Sequence, residues 1–140
     1  MGYNVIMQWL LRSPLHGLLS KNTLLLTYTG RRSGKGYSVP VNYVREEDDV
    51  WIVSRSERVW WRNFRQSAPV TVRLQGKKRS GYAQTMTAPE DVAAGLQIYF
   101  RNMPQSAQYF NVRRDDDRNF RHEDVLQATQ DRVIVRVHLE

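Results

Sequence analysis

The sequence contains no cysteine, only three histidines and no long hydrophobic run. Without cysteine, a disulfide framework, thiolate metal ligands and a cysteine nucleophile are all excluded. His16, His122 and His138 are far apart and belong to no paired-ligand motif, so we expect no metal site. No apolar stretch approaches the roughly 20 residues that cross a bilayer. We therefore expect chemistry that depends on neither sulfur nor a protein-bound metal.

The composition is that of one folded domain whose positive charge is concentrated in one half. The 140 residues are 41% hydrophobic and include 7 Tyr, 4 Trp and 4 Phe, which excludes the disordered and low-complexity classes. Residues 12–79 carry 14 basic and 5 acidic side chains (net +9), whereas residues 80–140 carry 7 basic and 9 acidic ones (net −2). This asymmetry predicts a local anionic partner: a phosphorylated cofactor, nucleic acid or a membrane surface.

The order of predicted elements indicates a mainly β, α+β protein formed by a single domain, residues 1–140. We predict strands over 22–29, 37–45, 50–54, 70–74, 79–86 and 132–139, and helices over 59–66, 87–102 and 122–129. Hairpin-connected strands interleaved with a few helices favour a six-stranded antiparallel barrel with the helices packed outside. Because proline cannot donate to a strand ladder, Pro40 places the second strand at an edge or a bulge.

Residues 1–20 form a predicted amino-terminal helical segment. Its apolar residues recur at helical spacing, and Pro14 and Gly17 end the helix. We expect this helix to cap the core, with weak contact to a membrane surface as the alternative. No basic residue precedes the apolar stretch and no small-residue cleavage site follows it, so it does not resemble a signal peptide. We expect the chain to be cytoplasmic, or peripheral to a membrane.

The turn between the first two predicted strands has the composition of a phosphate-binding loop. It reads Thr29-Gly30-Arg31-Arg32-Ser33-Gly34-Lys35. Two glycines free the backbone, three cations supply charge and two hydroxyls supply directional hydrogen bonds, and phosphate binding uses all three. The alternative is an ordinary solvated hairpin tip.

A second motif, Trp60-Trp61-Arg62-Asn63, lies on the short predicted helix and is flanked by further arginines. Two adjacent tryptophans on a short helix cannot share a face. We therefore expect one to pack into the core and the other to be available for a planar ring. Core packing of both is the alternative.

These motifs resemble the deazaflavin (F420)-dependent nitroreductase and quinone reductase family. The resemblance rests on the stretch from Leu24 to Lys35, on Pro40, on Trp60-Trp61-Arg62-Asn63-Phe64 and on Val70-Thr71-Val72. That family is related to the pyridoxamine-phosphate-oxidase-like, FMN-binding split barrels. The resemblance implies a split β-barrel that binds reduced coenzyme F420. The hydride of this cofactor would pass to a quinone, a nitro compound or a similar activated acceptor.

The resemblance also implies a site, residue by residue. Arg31, Arg32, Ser33 and Lys35 match the basic tip that binds the phosphate and the acidic tail of the cofactor. Pro40 matches a proline beside the ring, and Trp60 and Asn63 match the tryptophan and asparagine of the helix that lines the cofactor. Ser54, Arg55 and Ser56 occupy the strand end whose backbone approaches the ring. Tyr109 corresponds to a tyrosine on the substrate side and is the catalytic candidate, as proton donor or orienting group.

Two departures from the family pattern leave alternatives open. Residues 55–59 replace a longer loop with two glycines and a proline, and Gly36-Tyr37 stands where the family tends to have Pro-Arg. FMN is therefore the alternative cofactor. A non-catalytic binder of a flavin, haem or lipid-like molecule is a further alternative, and a nucleic-acid-binding barrel is a remote one. We expect a small-molecule hydride acceptor as the partner rather than nucleic acid, and leave a homodimer open.

Overall fold

The computed structural model describes residues 22–140, so the predicted helical segment 1–20 lies outside the described residues. The strands are β1 (Thr23–Thr29), β2 (Gly36–Asn42), β3 (Val44–Glu46), β4 (Asp49–Arg55), β5 (Ala68–Leu74), β6 (Lys77–Met86) and β7 (Arg132–Leu139). The α-helices are α1 (Pro89–Asn102) and α2 (His122–Ala128). Short 3-10 helices span Trp60–Phe64, Pro104–Phe110 and Thr129–Asp131.

The strands form one antiparallel sheet that curls into a barrel. Its order is β2-β1-β5-β6-β7-β4-β3, so β2 and β3 are the outermost strands. Along the chain these two strands are separated by Tyr43 alone. The two edges of the sheet are therefore close together in space, which requires the sheet to curl. We predicted six strands, and the structure has seven because the second predicted strand is interrupted at Tyr43. The predicted antiparallel barrel is otherwise confirmed.

Apolar side chains fill the barrel and also cover one side of its outer surface. Val133, Val135, Val137 and Leu139 of β7 point into the interior core, as their alternation predicts. Ile134, on the other face of β7, packs with α1 and α2. A Cβ at Gly95 would lie 2.6 Å from Ile134 Cγ1, so glycine is what lets α1 approach the sheet so closely. The helices therefore lie outside the barrel, as predicted.

Pro40 lies in β2, opposite Leu25 of β1. Because β2 is an outermost strand, one side of it has no neighbouring strand in the sheet order. A residue without an N–H group is tolerated there. The predicted edge position is confirmed.

One cluster of charged side chains joins the helical layer to the barrel, and a second one lies within that layer. Glu46 at the end of β3 accepts hydrogen bonds from Asn102 at 2.6 Å and from Arg101 at 2.9 and 2.8 Å. The bonds from Asn102 and then Arg101 lower the pKa of Glu46. In α2, Asp124 accepts hydrogen bonds from both the side chain and the backbone of Arg113, each at 2.9 Å. These bonds lower the pKa of Asp124 to about 2.

We expect Asp124→Asn to destabilise the fold much more at pH 7 than at pH 2. The carboxylate has its ordinary pKa in the unfolded chain and a lower one when folded, so its contribution is complete above about pH 4. That contribution is lost as the pH falls through about 2. Urea unfolding of both proteins from pH 7 to pH 2 measures the difference. Asp116→Asn, the same change at an exposed residue of the segment that precedes α2, is the control. An equal deficit at every pH would contradict the ion-pair explanation.

Candidate functional site

The two motifs converge at one end of the barrel. Residues 30–35, the cationic loop, join β1 to β2, and the 3-10 helix Trp60–Phe64, the tryptophan helix, lies beside them. The backbone N–H of Arg31 donates to Asn63 Oδ1 at 2.9 Å. Asn63 Nδ2 in turn donates to the carbonyl of Trp60 at 2.8 Å. Asn63 thus cross-links the loop to the helix with its side-chain amide.

A series of aromatic rings reinforces this junction. Tyr37 of β2 stacks on Tyr28 of β1, with ring centroids 5.7 Å apart. Tyr28 meets the edge of Phe64 at 5.2 Å, and Phe64 meets Trp60 at 6.1 Å. Phe64 is 1% exposed and belongs to the interior core. The tryptophan helix is therefore anchored in the barrel and in contact with the hairpin at once.

The two tryptophans separate as expected. Trp61 is 5% exposed and its indole N–H donates to the carbonyl of Ser56 at 3.3 Å. The buried hydroxyl of Thr85 on β6 donates to the Trp61 carbonyl at 2.8 Å. Trp60 is only partly buried and faces the space between the loop and the helix. Trp61 is thus buried, whereas Trp60 packs in part against the interior core and also lines this space.

Between the cationic loop and the tryptophan helix lies a depression of about 660 Å³, which we call the arginine crevice. It is lined by Tyr28, Gly30, Arg31, Arg32, Ser33, Tyr37, Val59, Trp60, Arg62, Asn63 and Arg65. The volume is within the range of small-molecule sites. Four of these residues are arginines, and none is acidic. Within residues 22–140, none of the four forms an ion pair.

Backbone geometry shapes the loop. Gly34 has φ +71°, a left-handed conformation that favours glycine. The Gly34 N–H donates to the Gly30 carbonyl at 3.0 Å, and the Gly30 N–H donates to the Lys35 carbonyl at 2.8 Å. The loop is therefore closed by its own hydrogen bonds, and Arg31 Nη1 also donates to the Arg62 carbonyl at 3.5 Å.

Comparison with known families agrees with this site. The sequence profile of the F420H(2)-dependent quinone reductases matches residues 11–120, which include both walls of the arginine crevice. The chain belongs to this family. It is accordingly an oxidoreductase of the F420H2-dependent reductase type, and the resemblance stated from the sequence is confirmed. No curated protein matches the sequence.

Solved structures share the fold. The F420-H2 dependent reductase FDR-A has a TM-score of 0.51 and 19% identity, over 86% of this chain and 95% of that one. A candidate pyridoxamine 5'-phosphate oxidase from Listeria innocua has a TM-score of 0.54 and 12% sequence identity, over 100% of this chain and 94% of that one. The general stress FMN/FAD binding protein from Xanthomonas citri has a TM-score of 0.53 and 16% sequence identity, over 89% of this chain and 79% of that one. The chain also spans 50% of a protein of unknown function from Agrobacterium tumefaciens with this fold.

Five of the residues that the family resemblance implies line the arginine crevice: Arg31, Arg32, Ser33, Trp60 and Asn63. Lys35 belongs to the cationic loop, but its side chain is not part of the crevice lining. Pro40 lies farther along β2. These placements leave the assignment of each residue to the cofactor as a prediction.

Ser54, Arg55 and Ser56 lie at the end of β4, outside the crevice lining. Ser54 is 7% exposed and its hydroxyl donates to the Arg55 carbonyl at 3.2 Å. The Arg55 guanidinium lies 3.7 Å from Glu57. Ser56 contributes to the site indirectly, because its carbonyl accepts the hydrogen bond from Trp61. This strand end therefore supports the tryptophan helix through the hydrogen bond between Trp61 and Ser56.

Tyr109 lies in a different depression. It is 78% exposed, and with Asn111, Gln127 and Arg132 it lines a depression of about 450 Å³ beside α2. That depression shares no lining residue with the arginine crevice. The role of Tyr109 on the substrate side stays a prediction.

Sequence reasoning named neither Tyr28 nor Tyr37 as a site residue, and it did not assign Arg62 or Arg65 to the site. Tyr28 pairs directly with Tyr37 across the hairpin. Counting outward from the loop predicts that pair once the hairpin register is known. Arg62 and Arg65 are three residues apart, so helical spacing places both on one side of the tryptophan helix.

The rest of the described chain offers no metal centre or membrane-spanning helix. Within residues 22–140, no group of three or more His, Asp or Glu is arranged to hold a metal ion. In that same part of the chain, the helices are too short or too polar to cross a bilayer.

We expect Asn63→Ala to release the cationic loop from the tryptophan helix. The substitution removes the acceptor of the Arg31 amide, a loss of about 0.5–1.5 kcal/mol. Amide exchange at Arg31, followed by NMR, should become about 2- to 12-fold faster. Asn42→Ala is the control, since it removes a hydrogen-bond acceptor at the other end of β1. Unchanged exchange at Arg31 would show that other contacts hold the loop.

Proposed function

We propose that the arginine crevice binds coenzyme F420 and that the protein transfers the hydride of the reduced cofactor to a quinone, nitro compound or similar acceptor. The observation that carries this proposal is the meeting, in one crevice, of the partly buried Trp60 and four arginines that have no acidic partner among residues 22–140. Such a crevice suits a ligand with a flat ring and several negative charges. Family membership supports the same reaction class.

The charge of the crevice fits the cofactor. Arginine binds phosphate and carboxylate groups through paired hydrogen bonds. Arg31 and Arg32 lie on the loop, whereas Arg62 and Arg65 lie on or just after the tryptophan helix. A single phosphate does not need four arginines on two walls. A cofactor with a phosphodiester and several glutamates supplies enough anionic groups for both walls.

The described residues would bind and orient the reactants rather than react with them. The indole of Trp60 would contact the ring of the cofactor. The side chain of Asn63 fixes the distance between the cationic loop and the tryptophan helix. The lining contains no carboxylate and no imidazole, so it offers neither of the usual proton-transfer groups. The bound reduced deazaflavin supplies the hydride. What the protein contributes is orientation and exclusion of water.

FMN is the second candidate cofactor, favoured by one specific observation. Tyr37 lines the crevice where the family tends to have an arginine, so this chain has one cation fewer at that position. One structural neighbour is an FMN/FAD binding protein. A homodimer and weak contact of residues 1–20 with a membrane surface, both left open by the sequence, are proposals alongside these.

Parallel titration and turnover test the proposed function. The protein is titrated with F420 and with FMN while the fluorescence of each ring is followed. It is then mixed with reduced F420 and menadione, and cofactor absorbance is monitored. We expect tighter binding of F420 and catalytic loss of its reduced form. Tighter FMN binding without F420 turnover would favour the second candidate, and fluorescence quenching without any turnover would indicate a carrier.

The double variant Arg31→Ala, Arg32→Ala should weaken F420 binding by about 1.5–3 kcal/mol for each charged hydrogen bond lost. The measurement is a fluorescence titration at low salt. Lys77→Ala with Lys78→Ala is the matched control. It removes the same charge at the β5–β6 turn, which the pairing of β1 with β5 places at the opposite end of the barrel. Unchanged affinity in the arginine variant, or equal loss in both variants, would remove these arginines from a specific site.

A further inference from the structure

Tyr37 lines the arginine crevice although it belongs to neither sequence motif. Its ring lies against Tyr28 with the two planes inclined by 27°. A Cβ added to Gly30 would lie 2.7 Å from the ring atom Cε2 of Tyr37 and 2.8 Å from Ser33 Oγ. Because Gly30 has no side chain, the Tyr37 ring and the Ser33 hydroxyl can both pack against its Cα at the start of the loop. These contacts fix the direction in which the Tyr37 hydroxyl points.

The Tyr37 hydroxyl reaches Ser33. The two hydroxyl oxygens are 3.0 Å apart, and Ser33 Oγ also accepts a hydrogen bond from the Lys35 N–H at 3.2 Å. A serine hydroxyl has two acceptor positions and a single hydrogen. When Tyr37 donates to it, both acceptor positions of Ser33 are filled. The Ser33 hydrogen is then left for a third partner, and Ser33 itself lines the crevice.

We infer that Tyr37 is a positioning residue. Its hydroxyl donates to Ser33 Oγ and thereby directs the Ser33 O–H at a phosphate oxygen of the ligand in the crevice. This inference rests on the proposed function, because it takes the phosphate-bearing cofactor as the ligand. Hydrogen bonds to charged oxygens are strong and directional, and a donor that is already oriented loses less freedom on binding. The arginines supply attraction, and the Tyr37–Ser33 pair supplies direction.

The test compares ligands with and without phosphate. Dissociation constants are measured by ring fluorescence for F420 and FMN, and for riboflavin and the deazariboflavin that lacks the phosphodiester. Ser33→Ala should weaken binding of the phosphate-bearing ligands about tenfold, and Tyr37→Phe about three- to fivefold. Tyr37→Phe should cause no further loss in the Ser33→Ala background. Neither variant should change the affinity for the phosphate-free ligands.

The control is Tyr82→Phe, which removes a hydroxyl from a tyrosine that is 48% exposed and lies outside the crevice. It should leave all four dissociation constants unchanged. An additional loss in the double variant would mean that Tyr37 contacts the ligand itself, and an equal loss for phosphate-free ligands would mean that only ring packing changed. Either result overturns the inference, as does an unchanged Tyr37→Phe. A wild-type protein that binds neither F420 nor FMN overturns the proposed function as well.

Discussion

Four arginines share one crevice in which no carboxylate is among the lining residues, and the fold has to hold them together against their mutual repulsion. The contacts that do so are mainly neutral. A backbone amide of the cationic loop bonds to the side chain of Asn63, and an edge-to-face contact between Tyr28 and Phe64 joins the hairpin to the tryptophan helix. Ion pairs would have neutralised the arginines, whereas a neutral clamp leaves their charge for a ligand. An anion bound there would relieve the repulsion and stabilise this end of the barrel.

Much of this architecture could be predicted because the deciding interactions are local. Alternation along β7 identifies its inner face, and the missing N–H of Pro40 identifies an edge strand. The separation of Trp60 from Trp61 follows from helical geometry alone. What could not be predicted depends on register and on contacts across long stretches of sequence. The break at Tyr43, for example, follows from closure of the whole sheet, which no local pattern of residues 37–45 shows.

The site shows the same limit at finer scale. Composition singles out residues 30–35 and 60–63 as charged and aromatic, and the structure brings the two segments together at one crevice. It does not show that the Asn63 side-chain amide hydrogen-bonds to the loop and to the Trp60 carbonyl. A residue assigned to the cofactor by resemblance is therefore at least partly a structural cross-link. The role of Tyr37 could not be predicted, for the complementary reason. Its importance comes from the hairpin pairing and the bare Cα of Gly30, and both appear only once the chain is folded.

The absence of acids and imidazoles from the crevice lining is consistent with the chemistry of the family. A reduced deazaflavin carries its own hydride, so a protein that uses it has to supply affinity, orientation and shelter from water. In the proposed function each of these requirements would correspond to a different part of the site: the arginines to affinity, Trp60 and the Tyr37–Ser33 pair to orientation, and the surrounding rings to shelter. Under the proposed function, selection among acceptors would come from surfaces beyond the arginine crevice. The hydride would then come from the cofactor rather than from a side chain of the crevice, and substrate preference is better sought on the barrel surface where the acceptor would approach.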